Sequence, residues 1–579
     1  MNYKNIILIK HFLIALIVLV FIAGSLSEKA FSQNSFFKDN VRVTLSDGTN
    51  LSTDIYLPAE GNKHPTILIR TPYGKHQHEY EGEYWSSNGY AVVIQDTRGK
   101  WESEGEYIPF LNERNDGLET VEWIIKQNWS NGEIGLWGSS YLSYCAIVLA
   151  TTGHESIKTM FVISGWLQGD KIINPGGAMH LMLNLAWILH EETQRVRSIQ
   201  KYDMEELFAY LPLNNVFNSI GIDSKIWNRE GDIRNMNSDR SASQINIPVF
   251  HVTGWNDFVC NAALDVYDEI TSNSTQENKL LIGPWFHDQL QTDFTEVGDE
   301  DFGTESILGR KNMNQLSLNW FDHIFHGKDI SQHMPSDVRL FMMGENKWRD
   351  FDSWPPGKVE YEQWYLSSEK GANSSNGDGK LSRIMPANTN PDTFVYDPMN
   401  PVPTHGGANF HFFLHSLGVK DQSEIEERND VLVYTSEILE REMHIIGPLK
   451  CFLHVSTEGK DTDFTAKVVE LRADGYARII QEGIIRASYR NSTASRELLI
   501  PGDIYELEID MGAAAIQMPA GSRIRIEISS SNFPKYDRNP NTGEDPFKAI
   551  EFKKVSQKIY HSQEHPSFLM LPVMKIIND

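Results

Sequence analysis

A change in the rhythm of the apolar residues limits this chain's folds more than any other feature. Short, mainly apolar runs come first, at residues 65–69 (Pro65-Thr66-Ile67-Leu68-Ile69), 90–94 and 133–137. They alternate with helix-patterned stretches such as 116–127. A strand buried on both faces loses the in-and-out alternation of a half-solvated one, so this texture predicts a mainly parallel sheet flanked by helices, the α/β class. Ahead of it, residues 41–58 alternate apolar and polar on both sides of Asp47-Gly48, which predicts a hairpin with a tight turn. From 165 to 244 strand patterning disappears, and stretches such as 179–196 and 204–211 carry helical spacing, a helical insertion. Strand–helix alternation resumes at 247–252 and runs through 279–282 and an amphipathic stretch at 315–325. Beyond Trp354-Pro355-Pro356 a period of two takes over, at 431–434, 449–455, 464–471, 504–509 and 523–528, with a loose Gly/Ser/Asn/Asp loop at 371–380. That predicts an all-β domain, a sandwich or jelly roll. The expected divisions are 33–164 and 245–353 for the two parts of the α/β domain, 165–244 for the insertion and 354–579 for the β domain. No internal repeat is found.

Length and composition fit this reading. At about 150 residues per domain, 579 residues allow three or four domains. With 40% apolar and 22% charged residues the chain is neither disordered, collagen-like nor a coiled coil. Lys and Arg number 52 against 78 Asp and Glu, a formal charge of −26. Such a surface repels phosphate backbones, so nucleic acid is not an expected partner. Three cysteines, Cys145, Cys260 and Cys451, cannot build a disulfide framework, and burial as small apolar residues is expected. At the N-terminus, Lys4 and Lys10 precede an apolar run at 12–23, and Ala30-Phe31-Ser32 sets small residues at −3 and −1 of a cut before Gln33. This is the pattern of a secretory signal peptide over 1–32, hence of a periplasmic or secreted protein. An uncleaved anchor is the alternative, because residues 6–9 lengthen the run; no cysteine near the cut offers a lipid attachment point.

The candidate nucleophile lies in Gly138-Ser139-Ser140-Tyr141, between a predicted strand and an apolar helix at 145–150. A serine hydroxyl is a poor nucleophile unless it stands clear of the backbone beside a base. A sharp strand-to-helix turn achieves this, and Gly at −2 gives the backbone room. Ser140 has Gly138 there, whereas Ser139 has Trp137. The +2 position is Leu142 where Gly is usual, so a plain helix start with Ser as its cap is the competing reading. Asp257, in Gly254-Trp255-Asn256-Asp257, and His287, in Gly283-Pro284-Trp285-Phe286-His287, each follow the end of a predicted strand, where α/β sheets build sites. Their order, Ser140, Asp257, His287, is the one a triad on this sheet requires. His251 inside a strand and Asp288 after the histidine compete less well. In this scheme Ser140 attacks a carbonyl, His287 carries its proton to the leaving group, and Asp257 fixes the imidazole and its charge. One oxyanion donor is expected at the Tyr141 amide. The other should come from the loop Arg70-Thr71-Pro72-Tyr73-Gly74-Lys75, where the Tyr73 phenol is a candidate and a packing role for its ring is equally open.

At this point the chain resembles the cocaine-esterase-like (CocE/NonD) hydrolases, relatives of the α-amino-acid ester hydrolases and X-Pro dipeptidyl peptidases. The resemblance rests on Arg70-Thr71-Pro72-Tyr73, Gln95-Asp96-Thr97-Arg98-Gly99 with Ser103-Glu104-Gly105, and the three segments that hold Ser140, Asp257 and His287. It extends through Tyr396-Asp397-Pro398, Asp461-Thr462-Asp463-Phe464, Ser530-Ser531-Asn532-Phe533-Pro534 and Arg538-Asn539-Pro540-Asn541-Thr542-Gly543. It implies an α/β-hydrolase domain with a helical cap, a C-terminal jelly roll, the same triad, and Tyr73 as oxyanion donor beside the Tyr141 amide. Ser143 departs from the glycine usual in the family. Phe258, Val259 and Cys260 stand where the α-amino-acid ester hydrolases carry carboxylates for a substrate ammonium, which disfavours α-amino esters. The hairpin begins soon after the signal segment, without the long N-terminal helical domain usual in the X-Pro peptidases, which disfavours that activity. Trp166, Trp255 and Phe258 could line an apolar acyl pocket, with core packing the alternative for each.

No metal or cofactor is expected: the sequence has no HExxH helix, no CxxC pair and no glycine-rich phosphate loop. The pairs Asp461/Asp463 and Asp537/Asp545 could take a cation, with loop solvation or structural hydrogen bonding the preferred reading. The sequence thus predicts an exported serine hydrolase acting on small-molecule esters or amides. An X-Pro dipeptidyl peptidase and a catalytically silent binding protein are the alternatives.

Overall fold

In the computed structural model residues 35–575 are described, apart from 62, 194–200, 229–239, 388–389 and 411–415. The signal-peptide expectation for 1–32 lies outside the described residues. Among those described, no helix is long and apolar enough to cross a membrane.

The predicted hairpin is β1 (Ser35–Thr44) with β2 (Asn50–Pro58). It forms one edge of a ten-stranded sheet. Into that sheet enter β3 (His64–Thr71), β4 (Ala91–Asp96), β5 (Ser130–Ser139), β6 (Ile157–Ile163), β7 (Val249–Gly254) and β8 (Asn278–Gly283). After a two-stranded hairpin, β9 (Glu296–Val297) and β10 (Glu300–Asp301), the sheet ends with β11 (Val338–Met342) and β12 (Lys347–Phe351). The order is β1-β2-β4-β3-β5-β6-β7-β8-β11-β12. From β4 through β11 every neighbouring pair is parallel, as the wholly apolar runs predict. β4, β7 and β8 are buried along their whole length, so helices must cover both faces. One of these helices, Gly309–His326, turns Met313, Leu316, Trp320 and Phe321 inward and stops at Gly327, whose φ of 66° only glycine adopts readily.

Between Ile163 and Val249 the described residues form helices and no strand, the longest helix being Leu181–Thr193. These helices share one apolar core with β3 to β7. The C-terminal part is all β, centred on the long antiparallel pair Met443–Thr457 and Tyr505–Met518. Its core of Leu449, Cys451, Leu453, Leu507 and Ile509 runs on into Leu280, Ile282, Leu340 and Phe341 of the first sheet. The three cysteines are unpaired and buried.

Three of the four acidic residues in the β-domain pairs Asp461/Asp463 and Asp537/Asp545 meet arginines. Arg486 lies between Asp463 (Nε–Oδ1 2.8 Å) and Asp537 (Nη2–Oδ1 2.8 Å), with all three side chains buried. Asp461 accepts from the Ser488 hydroxyl and from Arg496, both at 2.9 Å. Asp545 accepts from the Phe547 amide at 3.2 Å and so closes a turn. Asp537 also accepts from the Met179 amide at 2.9 Å, and its own amide donates to the Met179 carbonyl at 3.0 Å. The buried ion pair therefore anchors the cap's approach to its long helix. Removing one member of a buried pair leaves a desolvated charge behind, a cost of about 3–5 kcal/mol. Arg486→Met should lower the unfolding free energy in denaturant by roughly that amount, whereas Arg383→Met, which breaks a half-exposed pair with Glu362, should cost about 1 kcal/mol or less.

Candidate active site

Ser140 joins β5 to the helix Tyr141–Ala150 with φ 56° and ψ −120°, a region L-residues avoid. Its amide donates to the Ile163 carbonyl at 2.9 Å, which ties the bend to the end of β6. Gly138 is obligatory: a Cβ there would lie 2.2 Å from the Leu142 carbonyl carbon and oxygen. The two departures from the expected motif fit the bend. Leu142 is buried and lines the neighbouring cavity. The Ser143 hydroxyl lies 2.5 Å from the Ser140 carbonyl and 3.2 Å from that of Ser164, so it braces the turn from below.

The strand ends bring three groups together that lie far apart along the chain. His287 Nε2 is 2.9 Å from Ser140 Oγ, and His287 Nδ1 is 2.9 Å from Asp257 Oδ1. The loop that carries the histidine is held by Asn256, whose side chain donates to the Pro284 carbonyl at 2.7 Å and whose amide donates to the Trp285 carbonyl at 3.1 Å. Asp257 is buried but well served: it accepts from the Val259 amide at 2.9 Å and from the Ser164 hydroxyl at 2.5 Å. Burial of the imidazole opposes its protonation. The charge and hydrogen bond of Asp257 outweigh that, so the His287 pKa lies above the ordinary histidine value.

Tyr73 and Tyr141 both line the cavity beside Ser140. Burial pushes the Tyr73 phenol well above its usual pKa, so it keeps its proton. As first residue of its helix, Tyr141 has an amide with no intrahelical acceptor. The Tyr141 phenol is engaged elsewhere, donating to Glu113 at 2.6 Å and accepting from the Phe110 amide at 2.9 Å.

The cavity beside Ser140 has a volume of about 420 Å³, and its wall is mainly aromatic and aliphatic. Trp166 and Phe258 line it. Trp255 does not: its ring is 1% exposed in the core shared with the β domain, and its indole N–H donates to the Phe341 carbonyl at 2.8 Å. Trp255 extends β7 and so points into the sheet's own packing, while Phe258, three residues on, has cleared it. His251 is a core residue, its ring against Tyr267 and its pKa lowered to about 3 by burial. Asp288 borders the cavity.

Three contributors escaped the sequence reading. Ser164, at the end of β6 between the strands of Ser140 and Asp257, had a usable signal: it is a polar residue closing a buried apolar strand. Trp187, from the cap helix, and Phe410, from the β domain, had none, because nothing local tells which face of a distant element meets the site. Phe410 packs edge-on against Phe258, ring centroids 5.5 Å apart.

A family model described as X-Pro dipeptidyl-peptidase (S15 family) matches residues 47–289, and one described as the X-Pro dipeptidyl-peptidase C-terminal non-catalytic domain matches 333–570. Cocaine esterase from Rhodococcus sp. (strain MB1 Bresler) is 32% identical over 573 aligned residues, covering 93% of this chain and 98% of the relative. The chain belongs to the cocaine-esterase-like family of hydrolases. Two solved structures share its fold: an aminopeptidase from a marine sediment Thaumarchaeota archaeon (TM-score 0.81, 22% identity, 95% of this chain and 99% of that one) and an α-amino acid ester hydrolase (TM-score 0.77, 23% identity, again 95% and 99%). With the family established, the α/β-hydrolase assignment and the C-terminal domain stand as the sequence predicts.

A hydrogen bond to a charged acceptor is worth about 1.5–3 kcal/mol, and each 1.36 kcal/mol of barrier is a factor of ten. Ser164→Ala should therefore slow ester turnover by roughly ten- to a hundredfold with the melting temperature little changed. Steady-state rates with a p-nitrophenyl ester measure this, and wild-type turnover would mean that Asp257 needs no such support.

Proposed function

We propose that this protein is an exported serine hydrolase that cleaves carboxylic esters through an acyl-enzyme on Ser140. The observation that carries the reading is the unbroken relay from Ser140 Oγ to His287 to Asp257, with 2.9 Å at each step. In this mechanism His287 takes the Ser140 proton as the hydroxyl attacks the ester carbonyl. The tetrahedral oxyanion draws on the Tyr141 amide and the Tyr73 phenol. Collapse expels the alcohol, protonated by His287, and water repeats the sequence to free the acid. Asp257 remains ionised and holds the imidazolium in place.

The cavity supports an uncharged, apolar acyl group: Phe110, Trp166, Leu183, Trp187 and Phe258 line it, and Phe258 and Val259, which follow Asp257 on that wall, carry no charge. A second reading, release of X-Pro dipeptides, is favoured by one feature: Asp288 borders the same cavity and could face a peptide's N-terminal ammonium. Turnover of Ala-Pro-p-nitroanilide against a plain p-nitrophenyl acyl ester separates the two. Export rests on the signal pattern at 1–32, and the mature N-terminus should be Gln33.

Ser140→Ala should lower kcat by roughly six orders of magnitude, the scale of losing the nucleophile of such a triad. A fluorophosphonate should label the wild-type peptide that contains Ser140. A folded protein that takes no label would point to the silent binding reading instead. Because the base works only when neutral, and Asp257 holds His287 above the ordinary histidine value of about 6.5, the rate should fall as pH drops through a midpoint above about 6.5. A profile flat from about pH 5 to 8 would contradict His287 as base.

A further inference from the structure

An indole N–H can only donate, and a phenol oxygen can both donate and accept. Trp187 Nε1 lies 3.1 Å from the Tyr73 hydroxyl oxygen, so in this contact Trp187 donates and Tyr73 accepts. One lone pair of Tyr73 is thereby occupied. Its own O–H must point elsewhere, and among the described residues no acceptor is found for it. Tyr73 and Ser140 line one cavity.

Trp187 is itself firmly held. Its ring lies nearly parallel to those of Phe110 (centroids 5.7 Å, 18°) and Tyr141 (6.3 Å, 20°). Its helix, Leu181–Thr193, is fastened to the segment after β4 by the buried pair Lys100–Glu191 at 2.8 Å. From the same segment Trp101 donates to the Pro72 carbonyl at 3.0 Å, next to Tyr73. The cap helix and the Tyr73 loop are thus clamped to a common support, and the indole N–H spans the gap between them.

We propose that Trp187 is a positioning residue of the oxyanion hole: its N–H fills one lone pair of the Tyr73 hydroxyl and turns the Tyr73 O–H toward the oxyanion that forms when Ser140 attacks. This rests on the reading of Tyr73 as oxyanion donor. Two effects follow. The hydroxyl loses its freedom to rotate, so no reorganisation is needed as charge develops. A hydroxyl that accepts a hydrogen bond also becomes a stronger donor, since chained bonds polarise one another. The cap therefore acts on the chemical step as well as on the cavity's shape.

A double-mutant cycle in kcat and KM with a p-nitrophenyl ester tests this, using Trp187→Phe, Tyr73→Phe and the double variant, with melting temperatures alongside. Tyr73→Phe should lower kcat by roughly 10²–10³-fold. Trp187→Phe should lower kcat by roughly five- to twentyfold with KM little changed. In the Tyr73→Phe background it should have no further effect on kcat, because the hydroxyl it orients is gone. An equal loss in both backgrounds would make Trp187 a cavity filler and overturn the proposal. Wild-type kcat in Tyr73→Phe would remove the oxyanion role of Tyr73 itself, a separate failure that is read from the single variant. Should Trp187→Phe not fold, 3-benzothienylalanine at position 187 keeps the ring shape and removes only the N–H. Unchanged kcat in that variant overturns the proposal, and a fall in kcat upholds it.

Discussion

The backbone at Ser140 is held in a conformation that costs about 1–3 kcal/mol, and the surrounding chain supplies what keeps it there. β5 delivers the chain to the bend and the buried helix Tyr141–Ala150 carries it away, so both flanks are fixed by packing. The Ser140 amide is spent on β6, and its carbonyl accepts from the Tyr144 amide and the Ser143 hydroxyl. A residue with its amide and carbonyl both engaged in this way cannot relax without breaking a strand end and a helix start together. The exposed Oγ and the free amide of the next residue are consequences of that bend. The proposed nucleophile and the proposed oxyanion donor thus come from a single conformational constraint.

A second constraint is electrostatic. Asp257 is a carboxylate in a nearly dry place, and a buried polar group needs hydrogen-bond partners. Ser164, the Val259 amide and His287 meet it from three sides. The same logic recurs at Arg486, where a buried cation is matched by two carboxylates and the Asn539 amide group donates to Asp463 at 2.8 Å. Both centres are polar networks satisfied by short bonds within an apolar surround, the setting in which each bond counts most.

The parts of the fold read correctly from the sequence are those whose signal is local. Wholly apolar strand runs such as 90–94 carry their own evidence of two-sided burial, and Gly138 and Asp47-Gly48 mark bends by what their backbone must do. Ser140, Asp257 and His287 meet in the structure because each follows a strand end and a parallel sheet gathers such ends at one rim. For Trp255 the sequence left pocket and core packing both open, because proximity in sequence to Asp257 says nothing about direction, and the ring belongs to the core. Trp187 and Phe410 were invisible for a different reason. They approach the site from elements whose docking is decided by long-range contacts, such as the exchange of hydrogen bonds between Met179 and Asp537.

That last contact bears on how such a chain acquires selectivity. Ser140, Asp257 and His287 all follow strand ends of the parallel sheet, where register and burial leave little freedom. The cavity wall is assembled from three sources: Tyr141 and Leu142 from the sheet domain, Leu183 and Trp187 from the cap, Phe410 from the β domain. A change at Leu183 in the cap can alter the cavity without a direct contact to Ser140, His287 or Asp257, whereas Phe410 from the β domain also packs against the His287 ring, centroids 6.4 Å apart. Trp187 is coupled in a different way, because its N–H reaches Tyr73. A substitution that reshapes the cavity at Trp187 also alters how the Tyr73 hydroxyl is held.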